Sequence, residues 1–94
     1  MHATFSTVEL MTLYQQVEKL GTPCSTSCGA GYCWQGLSVA PSFDGYNLYF
    51  MYADVTLCMG FHQQMHLDAP SAVAGEQFWD QLRLLYRQAV AASR

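Results

Sequence analysis

Residues 46–61 read Tyr-Asn-Leu-Tyr-Phe-Met-Tyr-Ala-Asp-Val-Thr-Leu-Cys-Met-Gly-Phe, and how this apolar run is taken decides the fold. As a membrane helix it falls short, because about 20 apolar residues are needed to cross a bilayer and Asn47 and Asp54 interrupt it. As two strands it is coherent. Tyr46 to Tyr52 is dense in aromatic residues that favour a pleated surface, Ala53-Asp54 marks a turn, and beyond it Val55, Leu57, Met59, Phe61 and Met65 alternate with Thr56, Cys58, Gly60, His62 and Gln64. A period of two belongs to a strand with one buried and one wet face.

Working upstream, Cys33 to Ala40 reads as a further strand that Pro41 ends, and Ser42-Phe43-Asp44-Gly45 carries the Asp-Gly signal of a hairpin turn. Thr22 to Tyr32, rich in Gly and Ser, shows neither helical nor strand periodicity and is expected to be a loop holding Cys24 and Cys28. Before it, Ser6-Thr-Val-Glu9 is a capping box, with Phe5 and Leu10 at the staple positions. Leu10, Leu13, Tyr14, Val17 and Leu20 then recur on one helical face until Gly21 and Pro23 stop the helix.

Downstream, Ser71 opens a second helix whose Phe78, Trp79, Leu82, Leu85, Tyr86, Ala89 and Val90 form one wide apolar stripe opposed by Glu76, Asp80, Arg83 and Arg87. The expected fold is therefore α+β: a single domain over residues 1–94, built as a two-layer α-β-β-β-α sandwich with a three-stranded antiparallel sheet, both helices on one face and the other face open.

Composition narrows the function classes. Only 12% of the chain is charged while 51% is hydrophobic, so a small domain is left with apolar groups on its surface and few ions around them. That favours a protein partner or self-association. The net charge of −3, with Lys19, Arg83, Arg87 and Arg94 as the fixed cations, makes nucleic acid an unlikely partner, because a phosphate backbone needs a basic footprint. Residues 1–20 have no basic segment followed by an unbroken apolar stretch, so a cytoplasmic, non-membrane setting is expected, with the four cysteines as free thiols or metal ligands.

The thiols and imidazoles are the sharpest chemical signal: Cys24-x3-Cys28-x4-Cys33, then Cys58-x3-His62-x3-His66. Zinc takes four such ligands and would close the flexible loop, with Cys24, Cys28, Cys33 and His62 as the candidate set. On one continuous strand Cys58 and His62 would stand about 13 Å apart and could share an ion only if the strand broke. A nucleophilic cysteine needs a cation or helix N-terminus to lower its pKa and a histidine in reach, and no signature surrounds any of the four.

Strand parity assigns Asn47, Tyr49, Met51, Thr56, Cys58, His62 and Gln64 to the open face, with Trp34 as a further aromatic there, and Leu84 lies off the apolar stripe of the second helix. Aromatic and methionine side chains among small polar groups compose a recognition surface. The expected function is thus a small non-enzymatic protein-binding module without a cofactor. It would be an inhibitor or accessory protein of the kind mobile genetic elements encode, binding through Tyr49, Trp34, Met51, His62 and Leu84. The alternative is a zinc-stabilised domain organised by the Cys24 to Cys33 loop, and the third reading is a thiol enzyme.

Overall fold

The structure is a computed structural model and describes residues 5–60 and 65–92. Helix α1 (Thr7–Leu20) is followed by six strands, β1 (Thr22–Thr26), β2 (Gly29–Trp34), β3 (Leu37–Pro41), β4 (Asn47–Tyr52), β5 (Val55–Gly60) and β6 (Met65–Asp68), and then by helix α2 (Ala72–Ala92). The strands pair in sequence order, each antiparallel to the next. The expected three-stranded sheet is thus corrected to six strands, within the same α+β class.

The added strands come from three places. The segment taken as a loop, Thr22 to Tyr32, is the β1–β2 hairpin, closed by Ser27-Cys28 between Thr26 and Gly29. Thr26 Oγ1 accepts the Cys28 N–H at 3.1 Å and donates to the Gly29 carbonyl at 2.7 Å, which holds this tight turn. The strand expected over Cys33 to Ala40 is split by Gln35-Gly36, both at positive φ, 49° and 85°, as a two-residue hairpin turn demands. The long third strand also divides, into β5 and β6, so Met65 lies opposite Met59 rather than continuing past it.

Both helices cover one face. Across the ladder Val39 stands opposite Phe50 and Phe50 opposite Leu57, with Leu48 against Met59 and Tyr52 against Val55. Val39, Phe50, Val55, Leu57 and Met59 join Leu10, Leu13, Tyr14 and Val17 of α1 and Phe78, Trp79, Leu82, Leu85 and Ala89 of α2 in one buried apolar cluster, with Leu48 and Tyr52 half-buried against it. Tyr14 meets the Phe50 ring edge-on at 6.0 Å. Burial lifts the Tyr14 hydroxyl above the ordinary phenol range, with Glu18 adding to the effect.

The helix ends follow from local chemistry. Ser6 Oγ accepts the Glu9 N–H at 3.1 Å while Glu9 Oε1 accepts the Ser6 N–H at 3.0 Å, the two reciprocal bonds of a capping box. Phe5 is buried before the cap, stacked with Trp79 at 6.2 Å, edge-on to Tyr86 at 5.6 Å, with the Arg83 guanidinium 5.0 Å from its ring centre. Ser71 caps α2 by accepting the Ala74 N–H at 3.1 Å.

At Gly31 the backbone of β2 leaves no room for a side chain. A Cβ there would lie 1.9 Å from the Val39 carbonyl oxygen and 2.9 Å from Ala40 Cβ, so two backbones meet at a distance that no side chain permits. Gly31→Ala should cost on the order of 3 kcal/mol through this collision. By comparison, Ser6→Ala should cost about 1 kcal/mol and Leu13→Ala roughly 2 to 5 kcal/mol. Urea denaturation midpoints check all three, and a wild-type midpoint for Gly31→Ala would mean that β2 does not approach β3 this closely.

Candidate functional site

Alternation along the strands sends one set of side chains away from the helices. On β3 to β6 these are Ser38, Ala40, Asn47, Tyr49, Met51, Thr56, Cys58, Gly60, His66 and Asp68, in cross-strand rows that include Ala40–Tyr49–Cys58–His66. Cys24, Gly31 and Cys33 occupy the same face of β1 and β2. This is the face expected to be open. It is only partly so, because the β1–β2 hairpin curls back over it: the Ser27 hydroxyl at the hairpin tip reaches Met51 Sδ at 3.6 Å, and Met51 and Ala40 are buried although neither belongs to the helix-covered core. Small side chains at Gly31 and Ala40 make room for the curl.

Cys24 and Cys33 form a disulfide across this hairpin, with Cα atoms 6.1 Å apart. Cys33 Sγ also lies 3.3 Å from Ser38 Oγ. Cys28 and Cys58 are free thiols, both half-buried. Two of the four nominated zinc ligands are thus bonded to one another, His62 lies outside the described residues, and among the described residues no group of three or more His, Cys, Asp or Glu is placed to hold a metal ion.

The antiparallel pairing of β6 with β5 brings together residues that a continuous strand would have kept apart. Cys58 lies directly opposite His66 on one side and Tyr49 on the other. A cleft of about 470 Å³ opens there, lined by Asn47, Cys58, Gly60, Met65 and His66. The Tyr49 hydroxyl is raised above the ordinary phenol range, chiefly by the Cys58 sulfur, then by partial loss of water and by the nearby Cys28. The cause is electrostatic: a thiol ionises before a phenol, so Tyr49 would lose its proton beside an existing negative charge.

Of the other nominated residues, Trp34 faces the helices and packs against the core cluster, since it stands opposite Leu37, while Leu84 is exposed on α2. A second surface went unread in the sequence. At the β3–β4 turn Phe43 is fully exposed, at 106% of its reference area, and Tyr46, Val8 and Met11 are exposed as well. Thr7, Met11, Gly45, Tyr46, Leu48, Met59 and Gly60 line a cleft of about 260 Å³ between α1 and this turn.

The turn that carries Phe43 is tightly held. The Ser42 hydroxyl donates to Asp44 Oδ1 at 2.6 Å, the Tyr46 N–H donates to the same oxygen at 3.0 Å, and the Asn47 N–H donates to Ser42 Oγ at 3.0 Å. The first two bonds keep the Asp44 carboxyl below the usual carboxylate range. The signal for this turn, Asp-Gly, was legible in the sequence, but the outward direction of Phe43 was not.

A protein-family model described as Protein of unknown function (DUF3081) matches residues 6–91. No curated protein and no solved structure matches the chain.

Two measurements test the sulfur arrangement. Thiol titration of the unreduced, denatured protein should count two thiols, Cys28 and Cys58; a count of four means the bridge does not form. Reducing the bridge should lower stability by about 3 kcal/mol, the chain entropy of a short closed loop. In Cys58→Ser the Tyr49 phenol should titrate at lower pH than in wild type, as followed by NMR of the tyrosine ring, because the neighbouring negative charge is gone.

Proposed function

This chain belongs to the DUF3081 family, and we propose that it acts as a small non-enzymatic protein-binding module whose contact surface is the end of the molecule formed by the β3–β4 turn and the first turns of α1. The observation that carries this reading is Phe43, a large apolar side chain fully exposed on a turn whose backbone is held by the Ser42 and Asp44 bonds. An aromatic anchor on a rigid turn loses little conformational entropy on binding.

Tyr46, Val8 and Met11 are exposed as well, and Tyr46 and Met11 line one cleft there, so this end of the molecule offers apolar side chains of the kind that mark an interaction site. The adjoining cleft offers Leu48 and Met59 to a side chain from the partner. Fixed charge is scarce, so the partner surface would be apolar and the affinity nearly independent of salt. Tyr49 and Met51 are less suited as anchors, because the protein's own hairpin already covers part of their face.

No helix among the described residues is long and apolar enough to cross a membrane. The Cys24–Cys33 bridge fits an oxidising setting better than the reducing cytoplasm expected from residues 1–20.

A photo-crosslinking residue placed at position 43 in the native host should give one dominant protein adduct, retained when the lysate is brought from low to moderate salt. Phe43→Ala should weaken capture of that partner by about 2 kcal/mol or more while leaving the melting temperature within a few degrees, since Phe43 contributes nothing to the core. Absence of any adduct, or capture unchanged by Phe43→Ala, overturns the reading.

A further inference from the structure

The Cys58 cleft opens on the sheet face opposite the helices, next to the Phe43 turn through Asn47 and Gly60, and has chemistry of its own. Cross-strand partners hold their Cβ atoms about 4.5 to 5.5 Å apart, so the register sets His66 and Tyr49 as the neighbours of Cys58 on its two flanks. Gly60, one position along the same face, has no side chain and leaves the space that Asn47 and His66 border. His66 is exposed and Cys58 half-buried, and both line the cleft.

Cys28 supplies a built-in comparison. It is half-buried like Cys58, but it sits in the β1–β2 turn, outside the ladder that pairs Cys58 with His66. Both thiols lie near Tyr49, so a difference in reactivity that His66→Ala removes reports on the histidine, not on the solution.

We propose that Cys58 is a reactive thiol that takes low-molecular-weight disulfides into the 470 Å³ cleft and forms a mixed disulfide with them, His66 serving as the base and Tyr49 as a hydrogen-bond donor to the sulfur. Of the reactions open to a thiol, this one asks least of its surroundings. Acyl transfer needs donors preorganised around a developing oxyanion, whereas thiol–disulfide exchange needs only a thiolate and in-line access to sulfur. The Cys24–Cys33 bridge on the same face belongs to surroundings in which such disulfides occur.

The step balances without a further oxidant. The His66 imidazole takes the Cys58 proton, and the thiolate attacks one sulfur of the incoming disulfide. A new bond forms between Cys58 and that sulfur as the old sulfur–sulfur bond breaks. The departing thiolate then recovers the proton from the imidazolium. Cys58 is oxidised to the level of a disulfide and one half of the incoming disulfide is reduced to a thiol. The titratable groups facing Cys58 are Tyr49 from β4, His66 from β6 and the nearby Cys28, with Asp68 one row along β6.

The test uses the full chain and oxidised glutathione at neutral pH, with the site of modification read by peptide mass spectrometry over time. Cys58 should be glutathionylated about tenfold faster than Cys28. In His66→Ala the two rates should become similar, and Tyr49→Phe should lower the Cys58 rate by a smaller factor. The exposed His66 makes that variant safe for the fold, and an unchanged melting temperature confirms it. Equal rates for the two cysteines in wild type, or a Cys58 preference that survives His66→Ala, overturns the proposal.

Discussion

The row of side chains Val39, Phe50 and Leu57, each opposite the next across β3, β4 and β5, is the contact on which the rest of the molecule depends. All three are fully buried. They fix the register of the central strands, because a slip by one residue would turn every buried side chain toward water. Helix α1 docks on this row through Tyr14, and the same register sets Leu48 against Met59 at the edge of the Phe43 surface. The helix positions, the open face and both candidate sites inherit their geometry from it.

Once the inner face is committed to the helices, the outer face is settled by what remains. It carries no large apolar stripe, yet it is not simply wet. Gly31 permits a backbone approach that an alanine would block, and the β1–β2 hairpin uses that freedom to fold over Met51. The Cys24–Cys33 bridge then ties the hairpin to itself. A chain of this size has little core to spare, and a cross-link that limits the unfolded ensemble adds stability without adding side chains to the interior.

The two candidate sites divide the work between different physics. At the β3–β4 turn, hydrogen bonds from Ser42 and to Asp44 preorganise an aromatic residue that the core does not use, which is the arrangement of a binding anchor. At the Cys58 cleft, opposed side chains of different chemistry are gathered by strand pairing and left accessible, which is the arrangement of a reactive group. Neither depends on long-range charge, in keeping with a chain in which only 12% of residues are charged.

Much of this was legible in the order of residues, and the boundary between legible and hidden has a physical cause. The capping box at Ser6 and Glu9, the stripe of α2, the Asp-Gly turn and the alternation from Val55 to Met59 are local patterns, written by the period of a helix or strand and by the few residues that suit a turn. The β1–β2 hairpin was hidden because glycine, serine and cysteine carry no apolar alternation. Its strands are held by a disulfide and by backbone pairing with β3, both made with partners that the local pattern does not specify. The split at Gln35-Gly36 and the return of β6 onto β5 were likewise decided by pairing. The sequence by itself determined that there are two amphipathic helices and a sheet with one apolar face. Only the tertiary structure decided that the sheet has six strands, that Phe43 points to solvent, and that Cys58 meets His66, because contacts between distant residues depend on register and chain reversal, which no run of neighbouring residues encodes.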